Sequence, residues 1–427
     1  MARRKVISML AVLIALTLGI SALASAEVTI RAWTLPGKLS EQINDPMTAE
    51  FMKKNPDIKV VWEGFPWEEF LQKIQLGFAT GGVADVIEAW GGYVPGYIKG
   101  GHLVPVTPLA YTVGQMQSFF YPGIIEDVTI DGQIYGLPWE VCIDTGLNIN
   151  VTLMEEAGIA GYPESWDELV AAAKKLVKFD AQGNMTRAGI SGVADHSSPS
   201  YTLWEFIYKL GGDPWAKDGI HLDLSTAEAE EAATLFTNLV VKDKVSSTEL
   251  ETAVGDQIDM FFSRQTAIAN KGPQVVGQGK TMYADFPDKI DYIAIPPLKK
   301  GGKQVTIGEL GWMWVITKAS KYKEAAGLFV RWLGSPENLL ERLYHFGHVP
   351  SAPFMAYDKK GLEMRPWFEP MGEMVQNLKM IGPVEDSDRW YMTFRMNLRE
   401  VMDGRMTVKE ALAKSEKEMN TVIDELR

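Results

Sequence analysis

The sequence holds a single cysteine, Cys142, among 427 residues. One thiol cannot form an internal disulfide, so the fold has to be stabilised by packing. No cysteine lies near residues 24–26, so we do not expect a lipid anchor attached to a cysteine there. Beyond the N-terminal segment, the sequence has no run of about twenty apolar residues, which is the length that a further membrane-spanning helix would need.

Familiar enzyme motifs are also missing. The sequence contains no Gly-x-Ser-x-Gly nucleophile elbow and no His-Glu-x-x-His zinc helix. The stretch 272–281 resembles a phosphate-binding loop, but its glycines do not have the required spacing from Lys280. His345 and His348 come without a cluster of further ligands, so we interpret them as structural. We therefore expect no catalytic residue, no metal and no cofactor.

The charge is strongly acidic, with a formal net charge of −13 that becomes −16 when Arg3, Arg4 and Lys5 are removed. Nucleic acid is bound by clustered basic residues, and an acidic surface repels phosphate. We therefore expect no nucleic-acid partner.

The N-terminus has the form of a secretory signal peptide. Three basic residues, Arg3 to Lys5, precede an apolar run from Val6 to Ile20, and Ala24-Ser-Ala26 is typical of a cleavage site. The run is too short and wrongly flanked for a membrane anchor. We predict that residues 1–26 are removed and that a soluble protein of 401 residues reaches the periplasm or the extracellular space.

Apolar periodicity predicts strands alternating with helices. Strands are expected at 28–33, 58–62 and 85–90, and a helix from Trp67 to the stop at Gly81-Gly82. Capping boxes at Ser165–Glu168 and Thr407–Glu410 predict two further helix starts. This order indicates an α/β fold with a parallel sheet, in which ligands lie beyond the carboxyl ends of the strands. The mature length exceeds what one core normally serves, which favours two lobes.

Several stretches in order resemble the family of bacterial extracellular solute-binding proteins that includes maltose-binding protein. The resemblance covers nearly the whole mature chain, and the order and spacing of the stretches make it specific. They are 51–60, 78–86, 132–138, 148–169, 261–273, 324–337 and 347–350. Two departures are Ile149, where the family has Tyr, and Gln274, where an aromatic residue follows Gly-Pro in the maltose-binding branch. The second argues against maltodextrin but not against sugars.

The resemblance implies a periplasmic-binding-protein-like fold of two α/β lobes with discontinuous segments. The first lobe would comprise residues 27–140 and 312–350, and the second residues 144–308 and 354–427. Three crossings near 139–144, 308–312 and 349–353 would form a multi-strand hinge, whose backbone absorbs the change when the lobes close.

Aromatic candidates for ligand binding lie where strands end or loops begin. Sugars present apolar C–H faces that stack on flat rings. Trp33 and Trp90 end strands, Tyr201 and Trp204 open a helix, and further candidates at the crossing and near the C-terminus are Trp312 and Trp390. By resemblance, Trp90, Tyr201 and Trp390 match positions that stack on sugar. We interpret the remaining prominent tryptophans as core residues, namely Trp62, Trp67, Trp166 and Trp332.

Polar candidates cluster at the same crossings. Carboxylates and amides can each make two hydrogen bonds to sugar hydroxyls. These are Glu140 and Asp144 at the first crossing, Glu309 at the second, and Asn270 before Gly272-Pro273. The sequence does not decide whether Glu140 or Asp144 faces the ligand. Two basic residues, Arg389 and Arg395, are more consistent with surface ion pairs than with binding of an acidic sugar.

These features predict the substrate-binding component of an ABC importer, which captures a mono- or oligosaccharide between its lobes and delivers it to permease subunits. The protein would be a monomer and not an enzyme. Two alternatives stay open. A secreted glycoside-acting enzyme also uses carboxylates and aromatics, and an aromatic cage with acids also suits a polyol or a quaternary amine.

Overall fold

The computed structural model describes residues 27–35, 38–126, 128–346, 349–364, 371, 374–375, 377–382, 384 and 386–426. The predicted signal peptide, residues 1–26, lies outside these ranges. Across the described ranges, no helix is both long and apolar enough to cross a membrane.

The first lobe is built on a six-stranded sheet in which the strand Val28–Thr34 pairs in parallel with the strands on both of its sides. The sheet is mixed, however, because Trp312–Thr317 enters from the other lobe and runs antiparallel to its neighbours. The predicted parallel pairing is confirmed for the three early strands, and the antiparallel strand is one that the sequence did not predict. In spatial order the strands are Ile58–Gly64, Val28–Thr34, Val86–Trp90, Trp312–Thr317 and Leu103–Val104, with Gly136–Pro138 also paired to Trp312–Thr317.

Helices and one small hairpin complete this half of the molecule. The hairpin pairs Thr129–Ile130 with Gln133–Ile134. The helices are Lys38–Lys54, Trp67–Thr80, Val94–Lys99, Val113–Phe119, Pro122–Glu126, Lys323–Leu333, Pro336–Phe346, Pro353–Ala356 and Lys359–Met364, and Gly91–Tyr93 forms a 3₁₀ turn.

The second lobe is built on a five-stranded mixed sheet. Its spatial order is Lys178–Phe179, Met185–Ser191, Thr266–Asn270, Leu147–Asn150 and Ile290–Ile293. The helices around it are Val151–Glu156, Trp166–Leu176, Ser198–Leu210, Ala227–Val241, Thr248–Val254, Gln257–Phe262, Gln274–Met282, Ser387–Met402 and Val408–Leu426.

A third sheet of four short strands joins the two lobes. It pairs the strands in the order Val349–Pro350, Glu140–Cys142, Thr306–Leu310 and Leu378–Met380. Three of these strands, Glu140–Cys142, Thr306–Leu310 and Val349–Pro350, overlap the segments where the chain was predicted to cross between the lobes. The crossing segments therefore hydrogen-bond to one another.

The buried apolar residues form two cores. The first draws mainly on residues 30–143 and 310–374, and the second on residues 147–307 and 381–419. A few buried residues between 261 and 292 join the first core, because helix Gln274–Met282 packs against helix Pro336–Phe346. The cores establish two lobes, while the residue boundaries given above for the lobes stay a prediction.

The local predictions can be compared element by element. The three early strands and the helix Trp67–Thr80 are present, and Gly81 ends that helix with a φ of 75°. The capping box at Thr407 is confirmed in both directions. At Ser165 only half of the predicted box forms, because the Glu168 carboxylate accepts from the Glu164 amide instead of from Ser165.

Candidate ligand-binding site

A cavity of about 140 Å³ lies on the third sheet, between the two lobes. Its floor is formed by the strand Glu140–Cys142 and by the next two residues, Ile143 and Asp144. Side chains from the first lobe stand on one side and residues 273 and 274 of the second lobe on the other. The lining residues are Trp90, Glu140, Val141, Cys142, Ile143, Asp144, Pro273, Gln274, Trp312 and Val349. Four predicted site residues are thus brought together: Trp90, Glu140, Asp144 and Trp312.

The aromatic side of the cavity is a pair of tryptophans. Trp90 ends one strand and Trp312 begins its antiparallel neighbour, so their backbones are paired directly. The rings meet edge to face, with centroids 5.2 Å apart and planes at 73°. Both are half-buried, so the pair is held by the sheet and still presents apolar ring surface to the cavity.

The floor of the cavity carries Glu140, whose side chain is nearly fully buried. Its Oε1 accepts from the Trp312 amide at 3.3 Å. Nearby, the guanidinium of Arg342 donates to Glu88 at 3.1 Å and lies over the rings of Trp139 and Trp314. Burial lowers the pKa of Arg342, and the charges of Glu88 and Glu140 oppose that effect. Arg342 thus supplies positive charge to the floor from inside the first lobe.

The polar side of the cavity carries Asp144, whose carboxylate is heavily hydrogen-bonded. Its Oδ2 accepts from the Ser197 hydroxyl and from Lys271 Nζ at 2.7 Å, and its Oδ1 accepts from Gln274 Nε2 at 2.6 Å. Lys271 Nζ also donates to Asp195 at 2.8 Å. One lysine therefore holds two carboxylates, one of which lines the cavity.

The charges of this cluster support one another. Burial is the largest single effect on the pKa of Lys271 and of Asp195 and opposes their charged forms, but their ion pairs and hydrogen bonds together outweigh it. As a result the pKa of Lys271 is raised with the help of Asp144, and the pKa of Asp195 is lowered. Both shifts favour the charged forms of Lys271 and Asp195.

A second polar cluster lies beneath the third sheet. Glu309 is buried and accepts from the hydroxyls of Tyr201 and Tyr391, whose rings lie 6.0 Å apart. The Tyr201 hydroxyl also lies 3.7 Å from the sulfur of Cys142. Burial raises the pKa of Glu309 to about 7, against the effect of the two tyrosine hydroxyls. Tyr201 and Glu309 thus support the floor and do not line the cavity.

The structure places four other predicted site residues away from the lining. Trp204 and Trp390 pack against each other in the second core, with centroids 4.6 Å apart and exposures of 0% and 1%. Their helices turn these rings inward, so the expectation that they face the cleft is not met in this conformation. Trp33 is also buried, and its indole donates to Glu63 at 3.2 Å. Asn270 is buried and donates to Thr202 at 2.9 Å.

Sequence reasoning missed two residues of the polar side. Gln274 was noted only as a departure from an aromatic position, and Lys271 was not singled out. The usable signal was the order Asn270-Lys-Gly-Pro-Gln274, which places both side chains directly after a buried strand.

The basic residues near the C-terminus occupy the surface. Arg389 pairs with Asp386 at 3.6 Å and with Glu425 at 3.4 Å, which confirms the predicted ion pair. Arg395 instead contacts the sulfur of Met392 at 3.8 Å, and it forms no ion pair with any carboxylate in the described part of the chain, where the predicted ion pair is therefore not met. His345 lies 3.1 Å from Glu341, while His348 is outside the described residues. Within the described ranges, no three His, Cys, Asp or Glu side chains are grouped as a metal site.

The sequence matches the family model of the bacterial extracellular solute-binding proteins over residues 36–339. Among curated relatives, an ABC transporter extracellular-binding protein of Pyrococcus horikoshii is 23% identical over 58% of this chain and 56% of its own length. An arabinooligosaccharide-binding protein of Halalkalibacterium halodurans is 22% identical over 73% of this chain and 68% of its own length. The match spans about half the length of the first curated relatives.

Solved structures show the same two-lobed fold. A solute-binding protein of Thermotoga lettingae with bound α-D-tagatose has a TM-score of 0.78 at 22% identity, covering 93% of this chain and 100% of that one. The maltose/maltodextrin-binding domain of Bdellovibrio bacteriovorus bound to maltotriose has a TM-score of 0.75 at 18% identity, with 93% and 100% coverage. The family match covers well over half of the sequence, and the chain therefore belongs to the bacterial extracellular solute-binding proteins.

Proposed function

We propose that this protein is the substrate-binding component of an ABC importer and that it captures a carbohydrate in the cavity between its lobes. The observation that carries the proposal is the arrangement of that cavity. The tryptophan pair Trp90 and Trp312 stands on one side, and the hydrogen-bonding side chains of Asp144 and Gln274 stand on the other. A sugar ring has an apolar face and a rim of hydroxyls, which match these two sides.

The size of the cavity supports a closing motion. Ligand pockets usually enclose roughly 300–1,000 Å³, and this cavity is smaller, at about 140 Å³. The lobes also touch outside it, since an added side-chain carbon at Gly92 would lie 2.3 Å from the Ser387 hydroxyl. A sugar would therefore enter an opened form and then stabilise a closed one.

The third sheet is the element about which the lobes would turn. Gly311 lies between the third-sheet strand Thr306–Leu310 and the first-sheet strand Trp312–Thr317, and an added Cβ there would come within 2.8 Å of the Glu140 carbonyl oxygen. The close approach lets the crossing strands pass over one another. Closure would create a composite surface from both lobes, which the permease subunits would recognise.

The remaining parts of the proposal follow from the family. Two relatives are an arabinooligosaccharide-binding protein and a lactose-binding protein of Rhizobium radiobacter, and we extend the class of ligand, carbohydrate, to this chain. We also propose export by the N-terminal signal peptide, a monomeric state and no catalytic turnover. Affinity would be micromolar or better, which corresponds to about −8 kcal/mol.

The test is isothermal titration of the mature protein with mono- and oligosaccharides, together with tryptophan emission and melting temperature. We expect saturable binding, a change of emission and a higher melting temperature with at least one sugar. Repeated release of reducing ends would indicate a glycosidase instead. Binding of glycine betaine or a linear polyol, without binding of any sugar, would overturn the carbohydrate proposal.

A further inference from the structure

The polar side of the cavity is more specific than a general hydrogen-bonding surface. We propose that Asp144 and Gln274, held in place by Lys271, recognise two neighbouring hydroxyl groups of an uncharged sugar and so determine specificity. This inference rests on the proposed function, and it assigns the recognition of two sugar hydroxyls to the side chains of Asp144 and Gln274.

The first step is the position of Asp144. A carboxylate can accept about four hydrogen bonds. Two donors, Ser197 and Lys271, reach Oδ2, and Gln274 reaches Oδ1. Since Oδ1 accepts one bond from the described residues, it retains an acceptor position beside Gln274. Lys271 and Ser197 fix the far oxygen, so this acceptor has one orientation.

The second step is the position of Gln274. Its contact with Asp144 uses one of the two N–H groups of the amide, which leaves one N–H and the carbonyl oxygen for a ligand. The amide fits over Gly272, where an added Cβ would lie 2.2 Å from Gln274 Oε1 and 2.4 Å from the Ile143 carbonyl oxygen. Any side chain at Gly272 would displace the amide.

The third step is the rigidity of the loop that carries these residues. Asn148 is fully buried, and the two N–H groups of its Nδ2 are shared among the carbonyl oxygens of residues 269, 271 and 272, which lie 2.9–3.2 Å away. Its Oδ1 accepts from the Val276 amide at 3.3 Å. The loop between strand Thr266–Asn270 and helix Gln274–Met282 is therefore tied at both ends by one side chain, and the recognition pair is set before any ligand binds.

The pattern of donors and acceptors selects the ligand class. An acceptor on Asp144 next to a donor and an acceptor on Gln274 suits two adjacent hydroxyls, because each hydroxyl can donate and accept. A quaternary ammonium group has no N–H and no lone pair, so it would leave these polar atoms without partners. The Asp144 charge is also already paired with Lys271 at 2.7 Å, which lessens its attraction for a cation.

The experiment measures affinity by titration for D-tagatose, maltose, lactose, D-galacturonate and glycine betaine. The proteins are the wild type, Gln274→Leu and Lys271→Met, with Lys271→Arg as the conservative variant. Matched controls are Gln72→Leu and Lys175→Met, since both residues are exposed on helices. We expect a neutral sugar to bind best, Gln274→Leu to weaken it by about 10- to 100-fold, and the controls to leave it unchanged.

A thermodynamic cycle with single-deoxy forms of the binding sugar localises the effect. Two of the deoxy sugars should bind the wild type more weakly than the parent sugar does. For at least one of them, this loss of affinity should disappear in Gln274→Leu. Lys271→Met should weaken every neutral sugar, and Lys271→Arg should restore part of the affinity. If Lys271→Met does not fold, Ser197→Ala replaces it, since it removes one donor to the same oxygen.

The outcomes separate this inference from the proposed function. If a neutral sugar binds but Gln274→Leu binds it as tightly as the wild type, or if every deoxy penalty persists in the variant, the assignment to Asp144 and Gln274 is wrong while the proposed function stands. Tighter binding of glycine betaine than of any sugar would overturn the selection of hydroxyls. If no sugar binds folded wild-type protein, the proposed function fails first.

Discussion

Trp90 and Trp312 pair through their backbones and meet edge to face at 5.2 Å, so that two neighbouring strands of the first sheet end in one aromatic surface. Both rings are half-buried and line the cavity. Trp90→Ala or Trp312→Ala should therefore weaken sugar binding by about 10-fold or more, since each removes ring surface worth about 1–3 kcal/mol. Titration with the best-binding sugar checks this, and an affinity equal to that of the wild type would contradict it.

Trp204 is a tryptophan whose loss should affect stability and not sugar binding. It is fully buried against Trp390 and Phe394, so Trp204→Ala should lower the free energy of unfolding by about 3–5 kcal/mol through loss of core packing. Denaturant unfolding measures this loss. Binding by the protein that remains folded should be close to that of the wild type, and a large loss of affinity without loss of stability would instead place Trp204 at the ligand.

Glu309 should make stability depend on pH. Its pKa is raised to about 7 by burial, whereas the ordinary value is 4.5. Between these values the folded protein binds more protons than the unfolded chain, so this group's contribution falls as pH rises from 4.5 to 7, by about 3 kcal/mol in all. Glu309→Gln should flatten that part of the profile, measured by unfolding at a series of pH values.

Glu251 is the matched comparison for this experiment. Burial also raises its pKa to about 7, although backbone amides including that of Ala194 oppose the effect. Glu251→Gln should remove a similar slope without touching the third sheet. If Glu309→Gln leaves the pH profile unchanged while Glu251→Gln alters it, Glu309 is ionised in the folded protein and the assignment is wrong.

Lys209 and Glu205 form an ion pair in the second lobe, with Nζ and Oε1 2.7 Å apart and both side chains almost wholly buried. Burial lowers the pKa of Lys209, while Glu205 opposes the effect. Lys209→Met should destabilise the fold by about 3–5 kcal/mol, because it leaves a buried carboxylate without its cation. The double change Lys209→Met with Glu205→Leu should cost less than Lys209→Met alone, and a larger cost measured by unfolding would contradict this.

Cys142 should report on occupancy of the cavity, which it lines. Burial raises the pKa of its thiol, and the nearby charges of Asp144, Glu309 and Glu140 add to this effect. Because the thiolate is the reactive form, alkylation by iodoacetamide at pH 8 should be slow compared with a free cysteine. A bound sugar should slow it further, as mass spectrometry over time would show. A rate that does not respond to a saturating sugar would place the ligand elsewhere.

Much of the architecture was accessible from the sequence because its signals are local. The strand beginning at Val28 and the helix ending at Gly81 follow from apolar spacing and a left-handed glycine. The direction of Trp312–Thr317 was not accessible, because it depends on where the chain returns after leaving the second lobe.

The predictions for the binding site likewise succeeded where the signal was local and failed where it was not. Trp90 was predicted because it ends a strand, which is visible in the sequence, and Asp144 was predicted because it lies at a crossing that the family resemblance implies. Trp204 and Trp390 were expected at the cleft, but the rotation of a helix about its axis decides which face is buried, and both rings point into the core. Lys271 and Gln274 gain their roles from contacts with residues more than a hundred positions away, which no local pattern encodes.

The division of the chain between two cores has a consequence for the order of folding. The first core needs Phe51 beside Phe329, whose rings lie 5.1 Å apart, and the second core needs residues up to 419. The buried residues of the first core extend to residue 374, so a growing polypeptide cannot finish either lobe until most of its length has been synthesised. Contacts this distant in sequence favour slow folding, so a newly made chain would stay unfolded for longer than one whose two lobes were each continuous in sequence.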